Sequence, residues 1–128
     1  MGKSQQTKVK EISAETKREV LERQNYRSIS GVALTASNTE FHHYVFRSRG
    51  GVGYAWNIVG LTSEEHRAIH DHQPIKVNGK ERYTWEEFQT LIHNHLCLRY
   101  NGWSKDKCKY HKYWTEADYQ VKRKEKIL

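Results

Sequence analysis

The chain has 128 residues, and its 22 Lys and Arg outnumber 15 Asp and Glu for a net charge of +7. That length suits one domain and is too short for two independent cores. No apolar run approaches the roughly 18 residues of a membrane span, the polar start MGKSQQTKVK lacks the apolar stretch of a secretory signal, and two cysteines are too few for a disulfide framework. The expectation is a chain in a reducing cytoplasm, neither secreted nor membrane-bound. Its basic excess points to a polyanionic partner, with nucleic acid the commonest. Low apolar content (36%) and a mean hydropathy of −0.97 suggest that some of the chain is arm or tail.

Residues 1–12 read as a basic, flexible arm. SAETKREVLER predicts a helix from Ser13, its cap, to about Arg23. The apolar stripe of that helix is thin, which predicts a place on the surface or against a partner. Val32 to Phe46 predicts two short strands around Ala36-Ser37-Asn38. Residues 47–56 read as a loop made pliant by Gly50, Gly51 and Gly53, and Asn-Ile-Val-Gly-Leu (57–61) returns as a strand.

Thr62-Ser63-Glu64-Glu65 is a capping box, so a helix starts near Ser63 and must stop before Pro74. Asn78-Gly79 between β-prone residues predicts a hairpin. Thr84-Trp85-Glu86-Glu87 is a second capping box, and Trp85, Phe88, Ile92 and Leu96 form the stripe of the next helix. The remainder, 104–128, is a basic, aromatic tail in which Thr115 can cap a last short helix.

The chemistry concentrates in FHHYVFRSRGGVGYAWNIVGLTSEEHRAIH (41–70). His66 and His70 lie one helical turn apart on one face, a spacing that lets two imidazoles hold one metal ion. A third imidazole from the preceding strand leaves the coordination sphere open, as catalytic sites require. His42 and His43 are strand neighbours and point to opposite faces, so both cannot ligate one ion from a flat strand. One ring for the metal and one for water fits one-metal phosphodiester hydrolysis.

His42-His43, Asn57 and His66, in the order strand, loop, strand, helix, resemble the HNH endonuclease motif. The loop Phe46-Arg47-Ser48-Arg49-Gly50-Gly51 is similar to that family's as well. The resemblance implies an α+β domain built on a ββα-metal (His-Me) finger over 27–73, with flanking helices, a supporting helix over 84–100 and an extra hairpin. It implies His43 as general base and His42, His66 and His70 as metal ligands. Asn57 belongs to the catalytic set as the residue that ties the loop together. Arg47 and Arg49 are expected on phosphates flanking the cut, and Lys122, Arg123 and Lys124 on DNA further out. One divalent ion is expected: Mn, Ni, Zn, Co or Mg. Many family members add a cysteine-bound structural zinc. Here the corresponding stretches, 27–31 and 61–65, hold no cysteine, so no structural zinc is expected. DNA is the implied partner, cut to 5′-phosphate and 3′-hydroxyl ends by a monomer or homodimer. A bacteriophage setting beside terminase and other packaging proteins is implied too. A non-cutting DNA-binding module built on the same finger is the competing expectation.

Overall fold

A computed structural model describes residues 4–127. It is α+β, with nine regular elements and two small antiparallel sheets. Among the described residues, no helix is long and apolar enough to cross a membrane.

The chain opens with α1 (Gln5–Lys10) and α2 (Ala14–Arg23), capped by Ser4 and Ser13, whose hydroxyls accept the Thr7 and Thr16 amides. Residues 4–12 are therefore not the flexible arm the composition suggests; residues 1–3 of that segment lie outside the described residues. Val9 is buried and its carbonyl accepts the Gly53 amide at 2.7 Å, which docks α1 on the glycine loop. Nor is α2 a surface helix. Val20 is fully buried, and two polar residues at its end complete the open edge of a strand. Gln24 exchanges hydrogen bonds with both backbone groups of Gly60 (2.9 Å each), and Arg23 donates to the Ile58 carbonyl at 2.7 Å. The thin stripe misleads because half of what α2 buries is polar and hydrogen-bonded.

The strand pair is β1 (Thr39–His43) and β2 (Ile58–Thr62), in the register His43↔Ile58 and Thr39↔Thr62. The second strand expected within 32–46 does not form. Asn38 turns the chain by accepting the Thr35 amide, and only an isolated bridge, Arg27↔Ala33, remains of it. From β2 the chain enters α3 (Ser63–His70) through the full Thr62/Glu65 capping box. The hairpin β3 (Ile75–Val77) and β4 (Lys80–Tyr83) turns at Asn78 (φ 53°) and Gly79 (φ 79°), as Asn-Gly favours. A second complete box, Thr84/Glu87, starts α4 (Trp85–Arg99).

The core lies between the β1–β2 hairpin, α3 and α4. Ile58, Leu61, Ile69, Ile75, Phe88, Ile92 and Leu96 are all fully buried. Trp85, expected in the apolar stripe of α4, is only half-buried and stacks on His72 (4.1 Å, 10°). The C-terminal segment packs too. It carries α5 (Glu116–Glu125), capped by Thr115, and Tyr119 is buried in a ring stack with Tyr54 and Trp56.

Glu65 is a buried tie between two stretches of the chain. Its buried carboxylate accepts hydrogen bonds from the Ser28 and Ser30 hydroxyls and from the Thr62 amide at 2.9 Å. One carboxylate thus joins the 27–31 turn to the start of α3.

Candidate metal centre and its flanking clefts

Strand alternation separates the adjacent histidines. His42 is fully buried on the α3 side of β1, while His43 is half-buried and lines an open cleft with Glu40, Arg47, Lys17 and His66. His42 meets His66 and His70 edge to face, with ring centroids 5.3 and 5.6 Å away. One nitrogen from each ring lies within 4.8 Å of the others, and among the described residues this is the group able to hold a metal ion.

Hydrogen bonds assign the tautomers, because carbonyls and carboxylates only accept. The His42 Nε2–H donates to Gln89 Oε1 (3.2 Å), leaving a lone pair on Nδ1. That Nδ1 is buried without a hydrogen-bond partner. A buried acceptor left unmatched costs about 1–3 kcal/mol, and a metal ion would satisfy it. The His66 Nδ1–H donates to Glu40 Oε1 (2.7 Å), which turns its Nε2 toward His70 Nε2 at 3.1 Å. Two imidazole nitrogens at that distance share either a proton or a cation. Burial, with the neighbouring His66, pushes His42 down to about 3, so its ring is neutral at neutral pH. His70 is lowered by the same two causes. Glu40 is held below the usual carboxylate range by hydrogen bonds from His66 and Ser63. Three imidazoles, two of them steered by outer partners, fit a divalent ion and leave its remaining positions open.

His43 is fixed in the same way. Its Nε2–H donates to the Lys10 carbonyl at 2.8 Å, so Nδ1 is the proton-accepting nitrogen. Burial lowers its pKa, and the Lys10 bond only partly offsets this, so the ring is neutral and able to act as a base.

Asn57 is fully buried and holds the loop in register. Its Oδ1 accepts the Val45 amide (2.8 Å), and its Nδ2 donates to the carbonyls of Val45 (3.1 Å) and Val52 (2.8 Å). Gly51 and Gly53 allow the loop to lie flat. A Cβ at Gly51 would meet the Val45 oxygen at 1.7 Å, and one at Gly53 the Glu11 oxygen at 2.1 Å.

The arginines part company. They lie in one 3₁₀ turn (Arg47–Arg49), but Arg47 lines the His43 cleft and Arg49 lines a second groove. In α5, Arg123 forms an ion pair with Glu15 of α2, and Lys122 sits 4.4 Å over the Trp114 ring. Lys124 is exposed on the same helix. These contacts tie α5 to α2 and Trp114, whereas the contacts described above for the histidine cluster come from β1, α3 and α4. Of the other histidines and the cysteines, His93 binds Tyr44, His95 accepts from Arg23, buried Cys108 lies against the Trp56 carbonyl, and Cys97 is exposed.

Sequence reasoning missed Glu40, Gln89 and the Lys10 carbonyl. Glu40 carries a faint signal, since it stands two residues before the candidate ligand His42 on β1 and so shares its face. The other two have none.

No family model matches this chain, and none of the curated proteins or solved structures compared with it matches.

Proposed function

We infer that this chain is a divalent-metal-dependent endonuclease of the HNH class that hydrolyses phosphodiester bonds of DNA, with β1, β2 and α3 serving as its ββα-metal finger. One observation carries the reading. A cluster of three imidazoles with an orphaned buried nitrogen stands beside a fourth ring, His43, in a cleft that Lys17 and Arg47 line together with Glu11 and Glu40. A divalent cation on His42, His66 and His70 would polarise a phosphate oxygen and offset the charge that builds on the leaving oxygen.

The chain's own residues do the rest. His43 takes the proton of the attacking water at Nδ1, while Lys10 keeps the ring from turning over. Arg47 and Lys17 line the same cleft and draw the phosphodiester to it. Glu40 and Gln89 aim the lone pairs of His66 and His42 into the cluster. Asn57 fixes the loop that carries Arg47. The fold supplies most of the barrier reduction by holding these groups in place before the substrate arrives. Three imidazoles favour Zn, Ni, Co or Mn over Mg, which prefers oxygen donors. A role beside a terminase in phage DNA packaging extends this reading by resemblance alone.

A supercoiled plasmid incubated with each of these metals tests it. The wild-type chain should open circles, and His43→Ala should stop the nicking without weakening DNA retention in a gel. Plasmid that is bound but uncut with every metal would make the chain a DNA-binding module instead.

A further inference from the structure

On the other side of β1 from His43 lies a groove of about 500 Å³, more enclosed than the catalytic cleft. It reaches the metal cluster through two residues: Gln89, which binds His42, and Phe46, whose ring lies 4.8 Å from His70. Arg49, Lys105 and Lys109 line it against a single carboxylate, Glu86. Its remaining walls are Val45 and the rings of Tyr44, His72 and Trp85. Tyr44 carries Lys105 over its face at 5.8 Å, and Trp85 is stacked on His72. Cations interleaved with aromatic faces suit a sugar-phosphate backbone with unpaired bases. A paired base cannot enter, because its partner strand keeps it stacked within the duplex.

We propose that this groove seats one or two unpaired nucleotides next to the bond being cut, so that the preferred substrate is DNA with a single-stranded or opened segment rather than intact duplex. The proposal deepens the nuclease reading and rests on it for the class of partner. Phosphates lie against Arg49, Lys105 and Lys109, and a base stacks on the rings. Arg47 and Arg49, from one turn, then grip the strand on either side of the metal cluster.

Binding can be read in EDTA, where no cleavage occurs, by fluorescence anisotropy of a labelled 12-nucleotide strand. Three probes are compared: that strand, the same strand with abasic sites throughout, and its duplex. The wild-type chain should bind the normal strand on the order of tenfold more tightly than the abasic one, the increment expected of stacking. The double variant K105Q/K109Q should lose that preference and bind the single strand at least fivefold more weakly, with duplex binding changed less. K76Q/K80Q, the same charge loss on the β3–β4 hairpin, should cost the single strand less than twofold. Equal binding of normal and abasic strands would overturn the proposal, as would equal losses in the two double variants. Either result leaves the nuclease reading standing. Failure of that reading shows separately, as plasmid left uncut with every metal.

Discussion

His43 donates its Nε2 proton to the main-chain oxygen of Lys10, 33 positions earlier in the chain and 2.8 Å away. The base of the inferred reaction is therefore positioned by the N-terminal segment, and that segment is itself held down by the Gly53 amide on Val9.

Gly53→Ala probes this support from a distance. The new Cβ would fall 2.1 Å from the Glu11 oxygen and 2.8 Å from the Lys10 oxygen, both backbone, so the segment must lift. Overpacking of this kind costs about 1–3 kcal/mol. Nicking should drop on the order of tenfold, as misplacement by a fraction of an ångström implies, while metal affinity at His42, His66 and His70 stays within twofold. Unchanged nicking would show that the Lys10 contact does not position the base.

The outer partners of the ligands invite a second measurement. Glu40→Gln keeps the size of the side chain but weakens its hold on His66, and Gln89→Leu removes the acceptor from His42. Loss of such partners commonly costs 10–100-fold in metal affinity. Titration of the metal-free chain with Ni²⁺ or Zn²⁺ by calorimetry should show that loss for each variant. Wild-type affinity in both would mean that the rings are oriented by packing alone.

Much of this arrangement can be read from the chain, and what cannot has a common cause. The capping boxes at Thr62 and Thr84, the Asn78-Gly79 turn and the His66/His70 spacing are local signals, and each forms as expected. Asn57 is legible as a tie but not in its partners. Gln89 approaches His42 across 47 positions, and no local pattern points to it. The Lys10 carbonyl is invisible for another reason: every residue has one. Arg47 and Arg49 look equivalent in sequence. A 3₁₀ turn places residues two apart well around its axis, and that sends them into different clefts. The polar underside of α2 is hidden for the same reason as Gln89, since Arg23 and Gln24 meet their partners only after β2 is in place.

Glu65 bears on metal dependence. Its carboxylate joins Ser28, Ser30 and Thr62, and the expectation is that this tie holds the scaffold without a structural metal. Chelation should leave the circular dichroism of the chain native. Adding Zn²⁺ at 100 times its dissociation constant should stabilise it by about 2.7 kcal/mol, an increment lost in His66→Ala. Glu65→Ala leaves the buried Ser28 hydroxyl, and the half-buried Ser30 hydroxyl and Thr62 amide, without their acceptor and should cost about 1–3 kcal/mol, read by urea unfolding. A chelated chain that unfolds would place a structural metal somewhere in the fold.

His95 gives the fold a pH dependence outside the metal cluster. Its Nε2 accepts from Arg23 Nε–H at 3.0 Å, so the ring must be neutral there. Burial, then the charges of Arg23 and Arg99, push its pKa down to about 3 from the ordinary 6.5. The unfolded chain thus takes up the proton first as pH falls. The contribution of His95 is whole above pH 6.5 and is lost progressively toward pH 3. The slope stays below the single-proton limit of about 1.4 kcal/mol per pH unit, because solvent screens the part-exposed ring. His95→Gln keeps an acceptor for Arg23 and cannot titrate. Urea unfolding of the metal-free chain at pH 7.5 and pH 5 should therefore show a smaller acid loss in the variant than in the wild type. Parallel losses would mean that the His95 ring takes up a proton equally readily in the folded and unfolded chain, and that the Arg23 contact does not hold it neutral.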